Sequence, residues 1–295
     1  MQTLKAIRNV DAKGDSFSSR EFPMLDSDFD FIARVANEKT GIQLGKHKRD
    51  MIYSRIVRRI RSLKLQTFSE YCEYLKSHQD EEMTNFTNAI TTNLTSFFRE
   101  SHHFDFLKDT VIPEIKSKNA VPKKLRVWSA GCSTGEEPYS LAMTFHDEFS
   151  GDRGWDIKIL ATDLDTNVVS HGKSGVYVPD RVEGLPTSIL KKNFNVVVPA
   201  TGRGDAYEMS SHLKQYITFN RLNLLGDWPM KGKFDVIFCR NVVIYFNKDT
   251  QRILFDRYAE MLKPNGYLFI GHSETLHGVT KRFESLGRTI YRKIT

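Results

Sequence analysis

The stretch LRVWSAGCSTGEEPYSLAM, Leu125 to Met143, decides how the rest of the chain is read. Leu125, Val127 and Trp128 have the apolar, β-branched and aromatic character of a buried strand. Ala130, Gly131, Cys132, Ser133, Thr134 and Gly135 are all small, so backbone can approach a ligand closely there. Glu136, Glu137 and Pro138 then open a helix, with acids in its first turn and proline tolerated near its start. Strand, small-residue turn and helix is how a doubly wound α/β fold begins a nucleotide-type site. Two readings compete for the turn. Gly131–Gly135 matches the GxSxG of a nucleophile elbow, and it also fits the floor of a cofactor pocket.

The 295 residues leave room for one large domain or two modest ones. A hydrophobic content of 40% and a charged content of 27% are ordinary for a soluble globular protein. No apolar run approaches the roughly 20 residues that span a bilayer, and Met1–Arg20 lacks the apolar core of a signal peptide. Residues 1–22 are expected to be a flexible leader, and the chain to be cytoplasmic without direct membrane insertion. Cys72, Cys132 and Cys239 are far apart with no CxxC spacing, which argues against a zinc site or a disulfide framework. No metal is expected.

The formal charge of +7 is a local feature. Lys46 to Lys64 holds eight Lys/Arg and one acid, Asp50, and the remaining 35 basic and 35 acidic residues balance. At 100° per residue Ile52, Ile56, Ile60 and Leu63 form one stripe, and Lys48, Arg55, Arg58 and Arg59 cluster beside it. A purely solvated face usually mixes signs, so this face is expected to bind an acidic helix, nucleic acid or an anionic membrane. Helices are also expected over Asp26–Lys39, stopped by Gly41, from a Thr67/Glu70 capping box to about His78, and from about Glu81 to Thr92. Residues 23–92 thus read as an all-helical domain.

Residues 93–124 read as a linker and a helix from Ser101 to about Lys116. The linker's beginning, Thr91–Glu100 (TTNLTSFFRE), mixes hydroxyls, an amide, two aromatics and an arginine, a composition suited to lying across a ligand. Beyond the central turn, 125–295 reads as an α/β domain. Asp156–Ala161 is a second strand, and Asp163 at its end is placed for ribose hydroxyls, while Asp165 could cap the next helix. Val196–Val198, Tyr207–Met209 and Tyr216–Phe219 read as an antiparallel insertion over about 194–220, with Thr201–Asp205 as a turn. Phe234–Phe238 is a buried strand that delivers Arg240 and Asn241 to its carboxyl end. Thr250–Leu262 is a helix stopped by Lys263-Pro264-Asn265-Gly266, and Tyr267–Ile270 is another strand, with Thr289–Lys293 pairing beside it.

An elbow needs a later acid and histidine; His272 or His277 could serve, but no HGGG-type oxyanion motif precedes the turn. The GxGxxG and GxxxxGK patterns are absent too, so a pyrophosphate or triphosphate cofactor fits less well than S-adenosylmethionine, which needs no phosphate cradle. Five segments in order then carry a resemblance: TTNLTSFFRE at Thr91–Glu100, VWSAGCSTGEEPYS at Val127–Ser140, ATDLD at Ala161–Asp165, FCRNVVIYF at Phe238–Phe246 and LKPNGYLFIGHSE at Leu262–Glu274. Together they resemble the CheR family of chemotaxis receptor glutamate O-methyltransferases, over about Asp26 to the end.

The resemblance implies an α/β fold: a Rossmann-like methyltransferase sheet with an all-helical amino-terminal domain and an inserted antiparallel β-subdomain. It implies S-adenosylmethionine as cofactor, S-adenosylhomocysteine as product, and γ-methyl esters on receptor glutamates as the outcome. By the same resemblance Asn93, Thr95, Arg99, Glu137, Asp163, Asn223, Leu224, Arg240 and Asn241 contact the cofactor, and Arg99 and Tyr245 lie nearest the transferred methyl. Lys48, Arg55, Arg58 and Arg59 would engage the cytoplasmic helical domain of methyl-accepting chemotaxis receptors, with the enzyme a monomer. Some family members also hold a receptor's carboxyl-terminal pentapeptide on the β-subdomain; only Arg203 and Gly204 are candidates for that here.

The chemistry fits the residue set, because a glutamate is already ionised at neutral pH and needs no general base. The alternative enzyme is a nucleic-acid methyltransferase using the basic helix 46–64 on phosphates. Asn241-Val242-Val243-Ile244-Tyr245 lacks both prolines of the [DN]PPY pattern of base amino-methylation, so no nucleic-acid partner is expected. A receptor-docking module with a dead site is the non-enzyme alternative, and it predicts no S-adenosylmethionine binding.

Overall fold

A computed structural model describes residues 20–198 and 204–294. The leader up to residue 19, and with it Arg203 and most of the Thr201–Asp205 turn, lies outside them. The amino-terminal domain is α1 (Asp26–Thr40), α2 (Arg49–Leu63), α3 (Phe68–Ser77) and α4 (Gln79–Ile90). Each stop and start has a local cause. Gly41 ends α1 at φ 74°, in the left-handed region that glycine enters without a Cβ penalty. Thr67 accepts the N–H of Glu70, and the Glu70 carboxylate reaches back to the N–H of Gln66, one residue before the cap. The α2 stripe of Ile52, Ile56 and Ile60 is fully buried against Phe29, Ile32, Phe68 and Phe86.

A continuous helical rod then runs through α5 (His102–Phe106), a π-turn at Leu107–Val111 and α6 (Ile112–Lys118). Pro113 explains the wide turn. It has no N–H for the carbonyl four residues back and its ring crowds that carbonyl, so the preceding turn opens to a bond from Ile112 N–H to Leu107 O.

The α/β domain follows as β1 (Lys124–Ala130), α7 (Glu136–Phe149), β2 (Asp156–Asp163), α8 (Thr166–Ser174), β3 (Val176–Tyr177), α9 (Pro179–Val182), α10 (Thr187–Asn193), β4 (Phe194–Val197), β5 (Ala206–Met209), α11 (Ser211–Lys214) and β6 (Ile217–Arg221). It closes with β7 (Phe234–Cys239), α12 (Lys248–Met261), β8 (Leu262–Ile270), β9 (Phe283–Gly287) and β10 (Ile290–Lys293). The main sheet runs β6-β2-β1-β7-β8-β10-β9. Its first five strands are parallel, and β10 and β9 add an antiparallel edge. Both faces are covered, as parallel sheets require. Leu125 and Val127 pack under α7 and the rod, while Trp128 and Ala130 face α12.

One expectation is corrected here. The run Tyr216–Phe219 does not belong to the antiparallel insertion: Ile217–Arg221 pairs parallel with Ile159–Asp163 as the edge of the main sheet. The small sheet is β3-β5-β4, and its third strand is the two-residue Val176–Tyr177. Alternating residues mark a strand but not its partner, and two residues are too few to show alternation.

Candidate active site

The chain order places β1 centrally, with β2 and β6 to one side and β7 and β8 to the other. The carboxyl ends of β1, β2 and β7 therefore meet at the point where strand order reverses, the usual ligand crevice of open α/β sheets. A cleft opens there, and Asn93, Thr95, Arg99, Glu137, Asp163, Asn223, Leu224, Arg240, Asn241 and Tyr245 all line it. Its fourth side comes from the helical domain, through Thr40, Ile42, Leu44, Lys48 and Met51.

The glycine turn is the floor. Gly131 (φ 92°) and Gly135 (φ 101°) both sit where a side chain would be strained, and a Cβ on Gly131 would come within 2.3 Å of Val242. Ser133 donates to the backbone carbonyl of Asn93 at 2.9 Å, and Tyr177 holds the carbonyl of Thr134 at 2.9 Å. Among the described residues Ser133 thus has no histidine partner, and Cys132 is fully buried with its thiol pushed well above its ordinary pKa by that burial. The elbow reading ends there.

Asp163 leans over the turn, accepting the N–H of Ser133 at 2.8 Å and of Asp165 at 3.1 Å. Burial raises its carboxyl to about 6, although both N–H groups pull the other way. Asp165 does cap α8, accepting the N–H of Asn167, and it also receives Thr91 and Asn93, each at 2.8 Å. The cleft segment Thr91–Glu100 is thereby fastened at its start. Further on, Phe97 is buried edge-to-face against Tyr177 and Phe194, and Phe98 and Glu100 adopt positive φ of 51° and 56°. Strained backbone of this kind clusters where a ligand is clamped.

At the other wall, Arg240 is buried among two carboxylates. It reaches Glu137 at 3.2 Å and Glu100 at 3.3 Å, and it also donates to the backbone carbonyl of Arg99. Burial pushes the Glu137 carboxyl up, opposed by Arg240 and by the Ser129 hydroxyl at 2.7 Å. For Glu100 burial acts in the same direction, but the His272 hydrogen bond and the Arg240 charge outweigh it and bring it down to about 2. Glu100, His102 and His103 also have metal-ligand spacing, within 4.8 Å of one another. Both Glu100 oxygens already face Arg240 or His272, so a cation there would compete with a guanidinium.

Some residues in the site were not legible in sequence. Glu274 is buried and accepts four backbone N–H groups, those of Asn241, Val243, Ile244 and Gly271, so it fixes the loop bearing Asn241 and Tyr245. Gly271 makes room for that loop, since a Cβ there would lie 2.7 Å from the Asn241 nitrogen. Arg181 pairs with the fully buried Glu136 and reaches Thr95 O at 3.1 Å. The sequence signals for Glu274 were its place just past a strand's carboxyl end and its position closing the segment Leu262–Glu274, and neither pointed to its role on the Asn241 loop.

The basic helix is less uniform than its sequence. Arg59 forms a bidentate pair with Glu82, at 2.8 and 2.7 Å. Arg55 donates to the carbonyls of Ile90 and Thr91 at the end of α4. Lys48 lies over the Tyr245 ring at 5.0 Å, in the cleft wall. Arg58 alone of the four is exposed and has no hydrogen-bonded partner among the described residues. Gly204 has open space around it.

The residues fit S-adenosylmethionine. The start of α7, where a dinucleotide pyrophosphate would sit, is occupied by the buried carboxylates of Glu136 and Glu137, each already paired with an arginine, so no free N-terminal cradle is left for a phosphate. Asp163 offers a carboxylate to a diol, and Leu222 and Leu224 offer an apolar wall. The class defined is an S-adenosylmethionine-dependent methyltransferase. The family described as "CheR methyltransferase, SAM binding domain" matches residues 93–292, and "CheR methyltransferase, all-alpha domain" matches 27–91. The chain is 42% identical over 272 residues to the chemotaxis protein methyltransferase of Escherichia coli, covering 91% of each. To chemotaxis protein methyltransferase 2 of Pseudomonas aeruginosa it is 40% identical over 277 residues, covering 93% of this chain and 96% of that one. The Salmonella typhimurium chemotaxis protein methyltransferase is 39% identical over 277 residues, 92% of each. The chain belongs to the CheR methyltransferase family.

Proposed function

We propose that this enzyme methylates glutamate side chains in the helical cytoplasmic domain of methyl-accepting chemotaxis receptors, forming γ-methyl esters as a cytoplasmic monomer. The observation that carries this reading is the convergence on one cleft of eight residues from four of the motifs, together with Asn223 and Leu224. The names of its relatives support the substrate class. No relative among them favours the nucleic-acid alternative, and half of the basic face that it would use is engaged within the protein.

Bound S-adenosylmethionine supplies an electrophilic methyl that the substrate carboxylate takes up, leaving S-adenosylhomocysteine. Asp163 would hold the ribose hydroxyls, Asn223 and Leu224 would flank the adenine, and Asn93, Thr95, Glu137, Arg240 and Asn241 would close round the cofactor. Asn223 is itself braced, donating to Lys39 O at 2.8 Å. Arg99 spends one nitrogen on Leu94 O at 2.8 Å, which leaves the rest of its guanidinium to orient the incoming carboxylate beside Tyr245. Because a carboxylate anion and a sulfonium would neutralise each other on transfer, a dry cleft and in-line positioning by Arg99, rather than a base, would carry the rate. Arg58 steers the acidic receptor helix. Pentapeptide binding by the small sheet stays a separate expectation, tested by calorimetry with the free peptide; no heat at high concentration would dismiss it.

Transfer of radiolabelled methyl to receptor-containing membranes tests the function. Base-labile label on glutamate is expected. Label on nucleic acid, or base-stable label on protein, would overturn the reading.

A further inference from the structure

The small antiparallel lobe reaches the walls of the cofactor cleft, and its Arg181 makes the polar contacts that join three of them. Arg181, in the single-turn α9 of that lobe, sends both Nε (3.0 Å) and a terminal nitrogen to Glu136 Oε1. The same terminal nitrogen reaches Thr95 O at 3.1 Å and the Thr134 hydroxyl at 3.3 Å. Thr134 in turn donates to Glu136 Oε2 at 2.6 Å. One guanidinium therefore joins the first residue of α7, the glycine turn and the strained cleft segment, three pieces that come from positions 95, 134 and 136. Packing repeats the pattern: Tyr177 of the lobe binds Thr134 O and stacks edge-on against Phe97, 5.0 Å between centroids.

We propose that Arg181 is a positioning residue for the methyltransferase reaction, through which the lobe fixes Thr95 and the glycine turn in their cofactor-binding arrangement. The bond to Thr95 O comes from outside the parallel sheet and its turn. A planar guanidinium with several donors can serve three acceptors at once, whereas an ammonium acts as a point charge. The lobe is thus part of the cofactor site although none of its residues need touch the ligand. The inference rests on S-adenosylmethionine occupying this cleft.

The test is calorimetric titration of the full chain with S-adenosylhomocysteine, with thermal unfolding measured on the same samples. Arg181→Met should weaken binding by roughly tenfold or more, the scale of one lost charge-assisted contact. It should also lower Tm, because Glu136 is left buried without its cation. Two further variants separate positioning from folding. Glu136→Gln with Arg181→Met removes the unpaired charge and should recover Tm while binding stays weak. Arg181→Lys keeps the ion pair and Tm but should still bind weakly, with KM for S-adenosylmethionine raised and receptor KM unmoved. Affinity that recovers along with Tm, or that Arg181→Lys leaves native, would overturn the proposal. No heat with the unaltered protein would remove the cofactor reading as well, whereas native binding in the variants removes this inference alone.

Discussion

The cofactor cleft and the basic helix α2 both stood out in the sequence, and they fared differently. In the cleft, ten residues drawn from five separated segments arrive on one surface. On α2 and the residue that precedes it, four residues read as one positive face divide three ways. Arg59 and Arg55 are committed to the protein's own interior contacts, Lys48 turns to Tyr245, and Arg58 faces solvent. A motif at a strand's carboxyl end is placed by sheet topology, which is the same wherever the chain is read. A run of like charge reveals nothing of the acids that fold onto it, and Glu82 lies 23 positions from Arg59.

The largest expected effect exploits that division. Arg59→Met leaves Glu82, only 2% exposed, without its cation, and should cost about 3–5 kcal/mol of stability in denaturant unfolding. Arg58→Met should stay within about 0.5 kcal/mol of the parent; equal losses would erase the distinction between the two arginines. On the cleft side, Arg99→Lys should lower turnover at saturating substrates by roughly 100-fold, since a misoriented carboxylate loses in-line geometry. Full turnover would show that Arg99 does not position it.

A smaller effect comes from Asp163. An ionised carboxylate accepts both ribose hydroxyls, while a protonated one must use an oxygen as donor. Its carboxyl is raised to about 6, so cofactor affinity should be level above that pH and fall as pH drops through it. Asp163→Asn should bind about tenfold more weakly at pH 7.5 and lose that pH dependence; a retained profile would assign the titration to another group. The smallest is Arg58→Glu, which should raise receptor KM a few-fold at low salt and less at high salt, because exposed charges are screened.

How far the sequence reached follows the range of each interaction. Gly41, the Thr67 cap and the Asp165 cap were readable because their partners lie within a few residues. The cleft segment was readable from its mixed composition. The roles of Glu274, Arg181 and the Ile42–Leu44 wall were not, since the contacts that define them reach residues tens of positions away. Strand β6 was recognised but given to the wrong sheet, for alternation carries no information about pairing. The two-residue β3 left no signal at all.

The central claim is that methyl donor and receptor are held by two separable surfaces, the cleft and the outer face of α2. Cofactor Kd and receptor KM measured side by side on Asp163→Asn and Arg58→Glu test it most directly. The prediction is that Asp163→Asn moves Kd and leaves receptor KM near native, and that Arg58→Glu does the reverse. Either substitution shifting both quantities in parallel would contradict it.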